Sequence, residues 1–215
     1  MRKIEIFMMV VFFGIIHSAL AQDPSDDTFG KWQFRLRGIV VAPDESADIE
    51  TIGGDASIAT AVVPELDISY FFDENWSLEL ILATARHDVE AVGTTAGDLD
   101  LGRVWLLPPT LTGQYHFTGG NFVPYVGAGI NLTFFYGVDE GPVADDVQYD
   151  TSLGFALQGG LDYMLNDKWF LNIDIKRLFL STDVTVDATS ALNATVDADV
   201  DINPWIIGFG VGIKL

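Results

Sequence analysis

The strongest constraint on the fold is the alternation of large apolar residues with small or polar ones. Neighbouring side chains of a β-strand point to opposite faces, so this pattern gives one apolar face and one small or polar face. The C-terminal segment shows it most clearly, because three of its intervening residues are glycine. Its large apolar residues are Trp205, Ile207, Phe209, Val211, Ile213 and Leu215. This segment therefore predicts a strand with one strongly apolar surface.

Seven more segments alternate in the same way, so the chain offers eight candidate strands. They cover residues 32–37, 65–72, 76–83, 110–117, 126–134, 153–165 and 169–176. The mean hydropathy is positive at +0.28, yet no segment beyond the N-terminal region has the long uncharged run that a transmembrane helix needs. The sequence therefore excludes a helical membrane protein and directs attention to strands.

The first residues predict a secretory signal peptide. Residues 2–3 are basic, residues 4–16 are mostly apolar, and residues 19–21 form a small-x-small cleavage site. The apolar run is shorter than the roughly 20 residues that span a bilayer. We expect residues 1–21 to be removed on export and residues 22–215 to form one domain outside the cytoplasm.

The lengths of the connections favour a membrane barrel over a soluble sandwich, whose strands also alternate. The predicted short connections are 73–75, 118–121 and 166–167, and the long acidic ones are 43–57, 88–100, 137–150 and 187–197. Aromatic residues crowd beside the short connections. Short turns on one side, long loops on the other and an aromatic girdle are typical of outer-membrane barrels.

Charged residues on the presumed inner face also favour a barrel. Both signs occur at these positions, in Arg35, Arg37, Glu65, Asp67, Glu79, Asp162, Asp174 and Lys176. A soluble core buries so many charges at a high cost, whereas a lumen can pair and hydrate them. We predict an all-β fold, an eight-stranded antiparallel transmembrane β-barrel with short periplasmic turns and long acidic extracellular loops.

The composition excludes several classes of function. The 215 residues include 31 Asp and Glu, 11 Lys and Arg, and no cysteine. Nucleic-acid binding needs a surplus of basic side chains, so we expect no nucleic-acid partner. Without cysteine there are no disulfides, thiolate metal sites or cysteine nucleophiles. The acidic connections lack EF-hand spacing, so no metal site is predicted there.

Three strings resemble the outer membrane protein W (OmpW) family. They are Leu-Leu-Pro-Pro-Thr at 106–110, Pro-Tyr-Val-Gly-Ala-Gly-Ile-Asn at 124–131 and Asp-Ile-Asn-Pro-Trp at 201–205. The resemblance implies an eight-stranded barrel with a rather apolar lumen that passes small hydrophobic compounds. It also implies the barrel-assembly machinery as a partner during biogenesis. Members of the family usually end in Phe, whereas this chain ends in Leu215, which weakens the expected assembly signal.

Three apolar residues are candidates for contact with a solute. Ile81, Val104 and Leu106 fall on inward positions of their strands. They either line an apolar binding site above the charged residues or pack the interior of the barrel.

Three prolines are candidates for a lateral gap in the wall. Pro108 and Pro109 interrupt a segment that otherwise resembles a central strand, and Pro64 does the same in the second strand. Proline has no N–H to donate to a strand ladder. These residues either open a lateral gap or only bend the strand.

The predicted function is a passive outer-membrane channel or carrier for small hydrophobic molecules in a Gram-negative-type envelope, without catalysis, metal or cofactor. Its expected partners are outer-membrane lipids and hydrophobic solutes. One alternative is a structural or adhesion barrel that binds partners through its acidic loops. A second is a lipid-modifying enzyme that uses His87 or His116.

Overall fold

The structure, a computed structural model, describes residues 30–215 and consists almost entirely of β-strands. The predicted signal peptide at 1–21 lies outside the described residues. In chain order the elements are β1 Trp32–Ala42, β2 Ser46–Ile49, β3 Asp55–Ile58, β4 Ala61–Phe71, β5 Trp76–Ala83, β6 Ala85–Thr94, β7 Gly97–Leu107, β8 Thr110–His116, β9 Phe122–Glu140, β10 Asp146–Tyr149, β11 Ser152–Met164, β12 Trp169–Phe179, β13 Ser181–Asp187, α1 Thr189–Leu192, β14 Thr195–Asp201 and β15 Trp205–Lys214. Within residues 30–215, no helix is long and apolar enough to cross a membrane.

Eight of these strands close into an antiparallel barrel. Around the wall the order is β1, β4, β5, β8, β9, β11, β12 and β15, and β15 pairs back with β1. Closure joins the two edge strands, which a lipid surrounding requires because hydrocarbon offers the backbone no hydrogen-bond partner. The eight strands match the eight alternating segments, which extend at most one residue beyond them, so the predicted eight-stranded antiparallel barrel is confirmed.

The outer surface of the wall is apolar. Phe155 on β11 and Phe209 on β15 leave 69% and 62% of their surface exposed. A continuous surface of this kind suits contact with lipid rather than water. At the short-turn end Trp76 meets Tyr115 edge to face, with 5.0 Å between the ring centroids. Aromatic pairs at this level form the belt expected where lipid meets water.

The long acidic connections differ from the prediction because most of their residues form strands rather than loops. β10, β13, β14 and β2 form one small sheet, and β7, β6 and β3 continue the barrel sheet beyond the wall. In β14, Val196 and Val200 are buried while Asp197 and Asp199 face solvent. The acidic residues therefore alternate with apolar ones, which gives the two-residue period of a strand.

The inward direction of the side chains is kept from the wall into these outer sheets. Near Lys176 and Arg177 the sequence predicts either a bulge or a passage from the wall to an extramembrane ribbon. β12 pairs with β11 and β15 through this point without a register shift. Lys176 and Leu178 are both buried inside. The pairing shows no bulge at this point; the barrel interior changes from charged to apolar, and β12 then leads into β13 of the small four-stranded sheet.

Candidate functional site

Charged side chains fill the lower part of the barrel interior. We call this network the charged floor, and its members are Arg35, Arg37, Glu65, Asp67, Glu79, Asp162, Asp174 and Lys176. They project from five strands of the wall, and none is more than 2% exposed. Alternation along each strand directs every one of them inward. Burial of so many charges is tolerated because each has an oppositely charged neighbour.

Arg35 connects three sides of the wall. Its Nη1 lies 2.5 Å from Oε1 of Glu79, and its Nη2 lies 3.0 Å from Oδ2 of Asp162. Glu79 also accepts hydrogen bonds from Gln114 at 2.6 Å and from Gln158 at 2.9 Å. Gln114 lies on β8, next to the β5 strand of Glu79, whereas the other three contacts cross the lumen between strands that are not neighbours in the wall.

Arg37 and Lys176 occupy the upper part of the charged floor. Arg37 Nη2 lies 2.7 Å from Asp67 and 3.0 Å from Glu65. Lys176 Nζ lies 2.6 Å from Glu65 and 3.0 Å from Asp174. Of these pairs, only Lys176–Glu65 spans the lumen, from β12 to β4, whereas Arg37 pairs with carboxylates of the adjacent strand β4. Because these side chains are at most 2% exposed, they fill the lumen at this level and close it toward the short-turn end.

Neutral side chains complete the charged floor, and sequence analysis did not select them. The Tyr125 hydroxyl donates to Asp174 at 2.7 Å, and Gln158 donates to the same carboxylate at 3.0 Å. Asn172 donates to Asp162 at 2.7 Å. These residues occupy inward positions, as the charged ones do, so the two-residue period could have identified them as lumen-facing. Their lack of charge made them look like ordinary polar lining.

An apolar cavity lies above the charged floor. The centres of water molecules can occupy about 120 Å³ of it. Ile39 and Ile206 of the barrel strands and Val184 of the outer sheet line its wall, while Glu65 and Lys176 reach its edge from the charged floor. A concave, mostly apolar lining with few polar groups is the usual environment of a bound hydrophobic molecule.

The three apolar residues selected from the sequence lie on the wall of this cavity. Ile81 reaches it from β5, and Val104 and Leu106 reach it from β7. Ile81 and Val104 are almost fully buried, at 3% and 2% exposure. Their positions meet the geometric requirement for contact with a solute in the cavity.

The wall is interrupted beside the cavity. β4 pairs with β5 as far as the Glu65–Ala83 pair, and β6 begins at Ala85 with β7 and β3 as its partners. We call the facing edges of residues 61–64 and 84–87 the seam, since no strand pairing is recorded between them in the described part of the chain. Above the seam, pairing resumes where the Ala59 N–H donates to the carbonyl of Asp88 at 3.0 Å.

The prolines selected from the sequence lie where pairing is lost. Pro64 belongs to the β4 edge of the seam. Pro108 and Pro109 separate β7 from β8 and belong to no strand. On the β9 side the ladder continues, because Leu132 N–H donates to the Pro109 carbonyl at 3.0 Å. The interruption is therefore confined to the side that faces β5 and β6.

His87 and His116 lie at different levels of the barrel. His116 is buried next to the charged floor, with Nε2 3.1 Å from Ser77 Oγ. This contact results from strand pairing. The sequence did not suggest it because Ser77 and His116 are far apart along the chain. Both side chains are at most 2% exposed, so the serine hydroxyl has little surface to offer a lipid ester. His87, by contrast, lines the apolar cavity. Within residues 30–215 no acidic and histidine side chains gather into a candidate metal site.

Comparison with known proteins agrees with this geometry. A sequence model of the OmpW family matches residues 28–215. The chain belongs to the OmpW family. The uncharacterized outer-membrane protein y4mB of Sinorhizobium fredii is 43% identical over 182 residues, which are 84% of this chain and 78% of that protein.

Two further relatives extend the comparison. The dibenzothiophene metabolism operon protein PahQ of Pseudomonas aeruginosa is 30% identical over 163 residues, 72% of this chain and 75% of that protein. The crystal structure of the outer membrane protein OprG from the same species superposes with a TM-score of 0.80 at 30% identity. The superposition covers 88% of this chain and 99% of OprG. This OmpW-family protein is thus an outer-membrane β-barrel.

Proposed function

We propose that this OmpW-family barrel carries small hydrophobic molecules passively from the outside into the outer membrane. A solute enters the apolar cavity from the side of the outer sheets and contacts Ile81, Val104 and Leu106. It then leaves sideways through the seam into the lipid. The observation that carries the proposal is an apolar cavity placed directly above the charged floor.

The charged floor favours lateral exit over passage to the periplasm. A hydrophobic solute moving downward would have to separate ion pairs such as Arg35–Glu79, which are fully buried and cross the lumen. Leaving a buried charge without its partner typically costs several kcal/mol, about 3 to 5. An apolar molecule offers no compensating contact to the separated charges. Downward passage is therefore strongly disfavoured.

The seam offers a path with a lower barrier. Opening it breaks no strand-ladder hydrogen bond, because residues 61–64 and 84–87 do not pair with each other. Ala83, Ala85 and Pro108 line the cavity at this level, and the two alanines present little bulk to a passing solute. A solute that leaves here moves from an apolar cavity into hydrocarbon, so its apolar surface is not returned to water.

One relative supports the class of solute. The name of PahQ connects that protein with the metabolism of dibenzothiophene, a small apolar aromatic compound. A molecule of this class matches the lining of the cavity seen here. Transport of such a solute down its gradient requires no nucleophile, metal or cofactor, so we assign no catalytic residue.

Filling the cavity tests the proposal. We expect reconstituted wild-type barrel to accelerate uptake of naphthalene into vesicles, and Leu106→Trp to lose most of this acceleration because the indole occupies the cavity. Leu111→Trp is the matched control, since Leu111 lies on the lipid-facing surface and is 40% exposed. Equal uptake by Leu106→Trp and wild type would refute binding in the cavity. An inactive wild-type barrel would favour a purely structural or adhesive role.

A further inference from the structure

His87 presents an unusual polar group to the apolar cavity. It lies on β6, where the barrel sheet continues beyond the wall, is 3% exposed and lines the cavity. Its Nδ1 lies 2.6 Å from the carbonyl oxygen of Ala59. A carbonyl oxygen only accepts hydrogen bonds, so Nδ1 must carry the hydrogen and donate it. The backbone at the top of the seam thereby fixes which nitrogen of His87 is protonated.

The other ring nitrogen of His87 is left as a hydrogen-bond acceptor. Burial lowers the pKa of His87 below its ordinary value, which keeps the ring neutral at pH 7. In a neutral imidazole with its hydrogen on Nδ1, Nε2 bears a lone pair and no hydrogen. Among residues 30–215 no side chain or backbone group is hydrogen-bonded to Nε2.

Apart from Glu90, which is exposed to solvent, and Tyr149, the other polar groups on the cavity wall already have partners. Glu65 and Lys176 pair with each other. The Thr110 hydroxyl donates to the carbonyl of Pro108, and the Thr182 hydroxyl donates to the carbonyl of Asp150. Tyr149 also lines the cavity with a hydroxyl for which no partner is recorded in the described chain. A hydroxyl donates as well as accepts, so it discriminates less than a nitrogen that only accepts.

We propose that His87 Nε2 selects, among small hydrophobic molecules, those that carry one hydroxyl or N–H donor, such as phenols. This inference rests on the proposed function, because it requires the solute to occupy the cavity. A phenol that enters an apolar cavity loses the hydrogen bonds of its hydroxyl to water, and an acceptor in the wall restores one of them. A hydrocarbon of the same shape leaves Nε2 unpaired.

Phenol and toluene form a matched pair for the test, because they differ by a hydroxyl in place of a methyl group. Binding is measured to the full barrel in lipid nanodiscs, relative to protein-free discs that correct for partition into lipid. We expect His87→Phe to lower the ratio of phenol affinity to toluene affinity about fivefold, the size of one net hydrogen bond, while toluene still binds. Asp88→Asn, at the neighbouring outward-facing position, should keep the wild-type ratio.

A measurement on the wild-type protein makes the test independent of how well the variant folds. Phenol, but not toluene, should shift the ¹⁵N resonance of His87 Nε2. An affinity ratio that is unchanged in His87→Phe, whether or not it falls in Tyr149→Phe, would overturn the role of His87. If neither solute binds, the cavity proposal itself fails and this inference fails with it.

Discussion

Lys176 Nζ donates to Glu65 Oε1 at 2.6 Å at the level where the barrel interior changes from charged to apolar. Both residues reach the edge of the cavity, and both belong to the charged floor. Glu65 also lies 3.0 Å from Arg37, and Lys176 lies 3.0 Å from Asp174. The pair therefore connects the base of the apolar cavity with the charged floor, which closes the lumen below it.

Removal of one partner of this pair should destabilise the barrel. Lys176→Met takes a buried positive charge away from Glu65 and Asp174, so the two carboxylates depend on Arg37 alone among the cations within ion-pair distance. We expect the free energy of unfolding to fall by about 3 kcal/mol. Urea-induced unfolding in detergent micelles measures the difference.

The double variant Lys176→Met, Glu65→Gln is the control for this prediction. It removes both charges, so it leaves fewer buried charges uncompensated and should cost less than the single variant. A single variant as stable as wild type would show that the pair is not energetically part of the charged floor.

Restoring strand character beside the seam should slow solute exit. We expect Pro108→Val combined with Pro109→Thr to reduce naphthalene uptake several-fold, because both new residues supply an N–H that proline lacks. Because Pro108 lines the cavity, binding is measured as well, and uptake should fall by a larger factor than affinity. Pro124→Val serves as the control, since Pro124 faces outward on β9, opposite Leu161 of β11. Unchanged uptake by the double variant would indicate that the prolines only shape the wall.

The two-residue period explains why much of the floor could be predicted. Arg35 and Asp162 occupy inward positions that follow from alternation alone. That they meet at 3.0 Å could not be predicted, because contacts across a lumen depend on the stagger of strands distant in sequence. The acidic segments resemble loops for a different reason. In β14 only Ala198 separates Asp197 from Asp199, and Val196 and Val200 carry the only strong apolar signal.

The small sheet formed by β10, β13, β14 and β2 should become more stable as the pH falls. Asp183 and Asp199 lie directly opposite each other on β13 and β14. A side-chain hydrogen bond with Asp199, together with its negative charge, raises the pKa of Asp183. The stability gained by the protonated carboxyl is fully present below the ordinary pKa of aspartate and is lost as the pH rises through the raised value.

Hydrogen exchange of the β13 and β14 amides measures this effect. We expect higher protection factors at pH 4 than at pH 7 in wild type. Asp183→Asn should show a smaller difference, because its amide does not titrate in this range. Equal pH dependence in both proteins would mean that the Asp183–Asp199 pair is not its source.

Direct delivery of a solute to the bilayer tests whether the apolar cavity above the charged floor passes hydrophobic molecules sideways. Naphthalene held in cyclodextrin is mixed with vesicles containing the barrel, and its arrival in the bilayer is followed by fluorescence while arabinose entry is followed by vesicle swelling. We expect faster arrival of naphthalene than in protein-free vesicles and no faster entry of arabinose. Equal acceleration of both solutes, or of neither, would contradict this expectation.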